Sequence, residues 1–218
     1  MRKLKLAFAA VFACALLLGC ASRSSVMDWG VTEKPVKVKV VFTEPFIANP
    51  DDLQDDLPEY VNNFSDWYKA QLESNLGSQT KGALYSVEKI SMDKVRYDAA
   101  PVRNGVNIKV PKVEKMDSEA DIYLVMNDIW IGRVETQPVC TTGGFSAGGM
   151  GLGTTCSSGA KFSSMGNFAY YNAKTGKRLG YGVFEAGAGY SFAVTQSDWL
   201  YVVEETVFTM VQNTPIKK

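Results

Sequence analysis

The stretch ADIYLVMNDIWIGRVE, residues 120–135, constrains the fold more than any other part of the chain. From Ile122 to Met126 five consecutive residues are apolar, so neither side of an extended segment is polar there. Side chains of a strand alternate between two faces, and a run of this kind has to be covered on both. The stretch therefore predicts a long central strand with packed material on each side, at least in part. Val36, Val38, Val40 and Phe42, alternating with Lys37 and Lys39, predict a half-buried strand earlier in the chain. Residues 84–90 and 105–110 read as shorter strands, the second carrying Val106, Ile108 and Val110. Residues 161–171 and 178–188 flank Asn172-Ala-Lys-Thr-Gly-Lys177 and read as a hairpin, with Gly176 suited to a positive φ.

Two segments carry the helical period. In the first, Asp56-Leu-Pro-Glu59 has the form of an N-cap, a first-turn proline and an N3 glutamate. Leu57, Val61, Phe64, Tyr68, Leu72 and Leu76 then fall on one stripe, and Gly77 stands where a C′ glycine would end the helix. In the second, Ser197-Asp198 leads into Trp199, Val202, Val203, Val207, Met210 and Val211, with Pro215 beyond. The order is β-α-β-β-β-β-β-α. It predicts an α+β fold: a single mixed or antiparallel sheet with two amphipathic helices packed on one face.

Several chemistries lack their residues. There is no histidine in the chain, which removes Ser-His-Asp and Cys-His activation and the commonest zinc and iron ligand sets. Asp51, Asp52, Asp55 and Asp56 fit no calcium-loop spacing, and carboxylates just ahead of a helix complement its dipole. Lysines and arginines between 89 and 115 are interspersed with acids and lack interleaved aromatics, so no nucleic-acid partner is expected. No spacing singles out a catalytic residue, a metal ligand or a cofactor site, and the expectation is a non-catalytic protein.

The amino terminus is more explicit. Arg2, Lys3 and Lys5 precede an apolar run over 6–18, too short for a resting transmembrane helix and right for a signal-peptide core. It ends in Leu17-Leu18-Gly19-Cys20. This tripartite pattern resembles the lipobox of bacterial lipoproteins. The resemblance implies cleavage after Gly19 and acylation of Cys20; the alternative is an ordinary secretory signal cut near Ala21 or Ser22. The small residues after Cys20, with no adjacent aspartate, resemble those of lipoproteins sorted to the outer membrane, facing the periplasm. The division expected is a signal peptide over 1–19, a lipidated terminus and tether over 20–34, and one domain over 35–218. Loss of residues 1–19 removes three basic residues and no acid, turning a balance of 23 and 23 into an acidic excess of three.

On that reading Cys14 leaves with the signal and Cys20 is blocked by lipid. Cys140 and Cys156 remain as a pair for one disulfide in an oxidising compartment, the alternative being two unlinked buried thiols. They enclose fifteen residues with six glycines and four threonines. Such a segment is costly to order, and a bridge fixes its ends. Phe145, Met150 and Leu152 are its sizeable apolar residues and the candidate contact residues. The layout also resembles, at the level of fold, small envelope lipoproteins such as penicillin-binding-protein activators and curli-secretion lipoproteins. The shared features are the lipobox, the Val36–Phe42 strand followed by a helix, the 172–177 hairpin and the closing helix. The reading is a membrane-anchored interaction or assembly module with an envelope-protein or cell-wall partner. The alternative is a subunit of an oligomeric outer-membrane pore that contributes the 161–188 hairpin.

Overall fold

The structure, a computed structural model, describes residues 25–26, 36–48, 50, 63–81, 83–98, 109–116, 119–135, 139–142, 154–157, 159–190 and 193–218. In chain order its elements are β1 (Ser25–Val26), β2 (Lys37–Thr43), β3 (Phe46–Ile47), α1 (Phe64–Gln79), β4 (Leu84–Ile90), β5 (Val95–Asp98), β6 (Val110–Val113), β7 (Ile122–Glu135), β8 (Val139–Thr142), β9 (Thr154–Ser157), β10 (Ala160–Asn172), β11 (Arg178–Tyr190) and α2 (Gln196–Val211). The main sheet runs β1-β11-β10-β7-β2-β4, with β3 also on β7. The fold is α+β, and the sheet is mixed. β7 pairs antiparallel with β10 but parallel with β2, and β2 pairs parallel with β4.

The apolar run is the middle of this sheet. Ile122, Leu124 and Met126 of β7 face the helices, while Tyr123 and Val125 belong to a second cluster on the opposite side. Beyond that point the phase flips: Ile129 and Ile131 are the helix-facing residues. The cause is a β-bulge. Met165 of β10 pairs with Trp130 and Asn167 with Asn127, so β7 holds one residue more than β10 across this step. Asp128, inside the bulge, has φ +52°, a left-handed conformation that aspartate tolerates better than most residues.

Both helices lie on one face. Phe64, Tyr68, Leu72 and Leu76 of α1 and Trp199, Val202, Val203, Val207 and Met210 of α2 share one core with Val38, Val40 and Phe42 of β2. Trp199 stands at its centre, with ring centroids 4.5 Å from Phe162, 5.5 Å from Phe64 and 6.2 Å from Trp67. On the other face the β5–β6 ribbon covers Tyr123, Val125, Ala169, Tyr171 and Tyr181 through Val110 and Val113.

Two local expectations are corrected. Gly77 does not end α1; the helix continues to Gln79, where the Thr80 hydroxyl donates to the Leu76 carbonyl at 2.6 Å. An added Cβ at Gly77 would meet nothing within 4 Å, so the position lies in open space and helical backbone suits it. α2 begins not at Ser197-Asp198 but after Thr195, whose backbone N–H donates to the Asp198 carboxylate at 2.7 Å. Of the strand expected at 105–110, residues 105–108 lie outside the described residues; Val110 opens β6, which pairs with the unexpected β5. The capping sequence Asp56–Glu59 and the acidic group from Asp51 to Asp56 lie outside the described residues. The hairpin matches expectation, with Gly176 at φ +67°.

Candidate functional site

Cys20, residues 1–19, and the loop residues Phe145, Met150 and Leu152 lie outside the described residues. Within the stretch read as a tether, Ser25 and Val26 form β1 and pair antiparallel with Tyr181 and Gly180 of β11. Cys140 and Cys156 are direct partners in the β8–β9 ribbon that carries the glycine-rich loop. Directly opposed residues of an antiparallel pair have Cα atoms about 4.5–5.5 Å apart, a span compatible with a disulfide.

The aromatic residues of the hairpin are spent inside the molecule. Phe162, Phe168, Tyr170 and Phe184 are buried in the helix-side core, and Tyr181 is buried on the other face. β10 has β7 on one side and β11 on the other. The aromatic residues named here are thus engaged in the fold. Among the described residues no helix is long and apolar enough to cross a membrane.

The densest polar constellation surrounds the bulge of β7. Thr43 donates its hydroxyl to Asn127 Oδ1 at 2.7 Å, and the Asn127 amide donates to the Tyr97 hydroxyl. That hydroxyl donates to the Asp128 carboxylate at 2.9 Å, and Asn167 Nδ2 donates to Asp128 Oδ2 at 3.2 Å. Lys109 Nζ lies 3.9 Å from Asp128 and 5.4 Å from the Tyr97 ring centroid. The Tyr97 ring is 44% exposed, but its hydroxyl bonds to fully buried Asn127. Burial of that end, together with the Asp128 carboxylate, pushes the phenol up to about 12. Each polar side chain of this group is answered by another. The arrangement fastens the β5–β6 ribbon to the sheet. An Asn-Asp pair inside an otherwise apolar strand was the sequence signal that could have marked it.

Elsewhere the surface offers an open cleft of about 300 Å³ lined by Lys37, Lys39, Tyr85 and Glu119. Lys39 is paired with Glu88 at 2.7 Å, and the Lys37 backbone N–H donates to Asp121 at 3.1 Å. Among the described residues no three acidic or cysteine side chains converge as a metal-binding group.

A second feature unread in the sequence crosses the sheet on the face away from the helices. Phe46 of β3 pairs with Trp130 of β7, Trp130 with Met165 of β10, and Met165 with Glu185 of β11. Direct cross-strand partners share a face, so these residues form a row. Phe46 is 63% and Met165 36% exposed, and Trp130 is half-buried.

No family model matches the chain, and no curated protein matches its sequence. Solved structures with a similar arrangement include a neuraminyllactose-binding hemagglutinin homolog from Helicobacter pylori. It is 12% identical, with TM-score 0.38 over 86% of this chain and 89% of that one. The PelC dodecamer from Paraburkholderia phytofirmans is similar at 8% identity and TM-score 0.36, over 89% of this chain and 98% of that one. A lipoprotein from Neisseria meningitidis is similar at 10% identity and TM-score 0.26, over 83% of this chain and 100% of that one. Similarity of this degree carries no functional argument.

Proposed function

We propose that this chain is a non-catalytic lipoprotein of the bacterial cell envelope, held by acylated Cys20 in the outer membrane and facing the periplasm. Its α+β domain serves as an interaction or assembly module. The observation that carries this reading is the pattern from Arg2 to Cys20: a basic start, an apolar run of signal-peptide length and a terminal cysteine. Diacylglyceryl transfer and amino-terminal acylation give Cys20 three chains, and attachment with more than one is stable. The absence of histidine and the internally satisfied polar group around Asp128 support a non-catalytic role.

Cys140 and Cys156 form a disulfide that fixes the ends of the glycine-rich segment, and Phe145, Met150 and Leu152 contact the partner. The opposed register of the two cysteines supports the bridge. A closed loop of this length contributes roughly 3 kcal/mol by restricting the unfolded chain.

Intact-mass analysis of the native product tests the anchor. The expected result is an acyl adduct on a chain beginning at Cys20, with no free thiol at 140 or 156. An unmodified terminus overturns the proposal. Exchange of Phe145, Met150 and Leu152 together for serine tests the loop, because crosslinked partners recovered from cells are then expected to disappear. Unchanged partners remove the loop from the function.

A further inference from the structure

Phe46, Trp130 and Met165 are far apart in sequence but stand side by side across three strands. Neighbouring strands are about 4.8 Å apart, so with Glu185 the row is about 14 Å wide. The Trp130 ring and Ala48 stand over Gly132, where an added Cβ would meet each of them at 2.8 Å. At the far end Lys161 lies over Gly187, and its Nζ is 3.8 Å from Glu185 Oε1. The row therefore presents aromatic and thioether surface, with its flanking lysine and glutamate already paired. Tryptophan and phenylalanine beside a lysine whose stem lies on the surface match what a membrane–water interface accommodates.

The direction of the chain at β1 identifies what this surface meets. From Val26 back to Ser25 the partner on β11 changes from Gly180 to Tyr181, so β1, read toward its start, points to the Glu185 end. Tyr181 to Glu185 is four residues, or about 14 Å of strand. Cys20 is five residues before Ser25, and five extended residues reach about 17 Å. An acylated Cys20 thus has enough chain to reach the level of the row, and too little to hold this end of the domain far from the bilayer. Confinement to that distance raises the effective concentration of lipid at the row, so even a weak contact is populated.

We infer that the Phe46–Trp130–Met165 row is a lipid-contacting surface that seats the domain against the leaflet carrying its own acyl chains. The inference rests on the acylation of Cys20 proposed above. It adds a second membrane contact made by side chains, and with it a fixed orientation of the sheet.

The test uses the acylated full-length mature chain in vesicles of phosphatidylethanolamine with a minority of phosphatidylglycerol, with and without brominated acyl chains. Trp29 is first replaced by phenylalanine, so that the remaining tryptophans are Trp67 and Trp199, both buried in the core, and Trp130. Bromine quenches only on close approach. The expected result is loss of most of the Trp130 emission in brominated vesicles, and disappearance of that loss in Trp130→Phe. Phe46→Ser with Met165→Ser, both at exposed positions, is expected to reduce the quenching while leaving the urea midpoint in place. An acyl adduct on Cys20 with equal emission in both kinds of vesicle overturns the inference and leaves the anchor standing. Absence of the adduct overturns both. Trp130 shielded from acrylamide only when a protein partner is added also overturns it.

Discussion

On the helix side of the sheet, Trp199 is enclosed by Phe64, Trp67 and Phe162, and the Tyr68 hydroxyl finds no hydrogen-bond partner among the described residues. On the opposite side, Tyr171 donates to the Pro111 carbonyl at 2.9 Å, and Thr43, Asn127, Tyr97 and Asp128 hold one another. One face is closed by two helices and apolar packing. The other is closed at one end by a two-stranded ribbon that needs polar fastening, and at the level of Met165 it is open. Ribbons of two strands have little cohesion of their own, so the second face recruits hydrogen bonds where the first relies on area. The two faces should therefore respond differently to similar substitutions.

The largest effect is expected at the centre of the helix-covered face. Trp199→Ala should cost about 3–5 kcal/mol, since no small shift can refill the space of an indole. Urea unfolding measures it. A loss below about 1 kcal/mol would mean that the core is looser than its ring contacts indicate.

A pair of glycines on neighbouring strands comes next. An added Cβ at Gly166 would meet the buried Phe184 ring at 2.5 Å, whereas at Gly187 it would meet the flexible Lys161 side chain at 1.8 Å. Gly166→Ala should cost about 1–3 kcal/mol by overpacking. Gly187→Ala should stay within about 0.5 kcal/mol, because the lysine swings aside. Equal costs in thermal or urea unfolding would contradict the contrast between a closed and an open face.

The hydroxyls of two buried tyrosines give a finer measure. Tyr171→Phe removes the bond to Pro111 and leaves its carbonyl short of a partner, at about 1 kcal/mol. Tyr68→Phe removes an unpartnered group and should be neutral or slightly stabilising. Reversal of the two signs in parallel urea titrations would mean that the polar and apolar faces had been misassigned.

The smallest effect concerns the ribbon's fastening under alkali. The Tyr97 phenol, raised to about 12, stays protonated in the folded protein while an unfolded tyrosine loses its proton near 10. Above pH 10 the folded state therefore binds more protons, and stability falls as pH rises from 10 toward 12. Partial exposure of the ring keeps the effect small. Ultraviolet titration should show the absorbance missing from Tyr97→Phe centred near pH 12; a step near pH 10 would mean that the hydroxyl is not held by Asp128.

What the sequence disclosed of these faces follows from how far each signal reaches along the chain. The 122–126 run, the Asn172–Lys177 turn and the stripe from Trp199 to Val211 are local patterns, and each formed the element expected. Gly77 misled because a C′ glycine and a glycine in open space read alike without the packing around them. The Phe46–Trp130–Met165 row had no sequence signal, because it depends on the register of β3, β7 and β10. A single residue inserted at Asp128 decides whether Trp130 or Ile131 faces the helices. The same insertion explains why alternation read from Ile122 onward predicts the wrong face beyond Asn127.

β7 also imposes an order of events on the growing chain. β2 pairs with it across 84 residues, as the Thr43–Asn127 bond does, whereas β10 and β11 meet through a short turn. Local pairings form within microseconds, but distant parallel ones wait for the intervening chain to be gathered in. Val38, Val40 and Phe42 of β2 can thus meet β4, 47 residues on, well before β7 closes their other side.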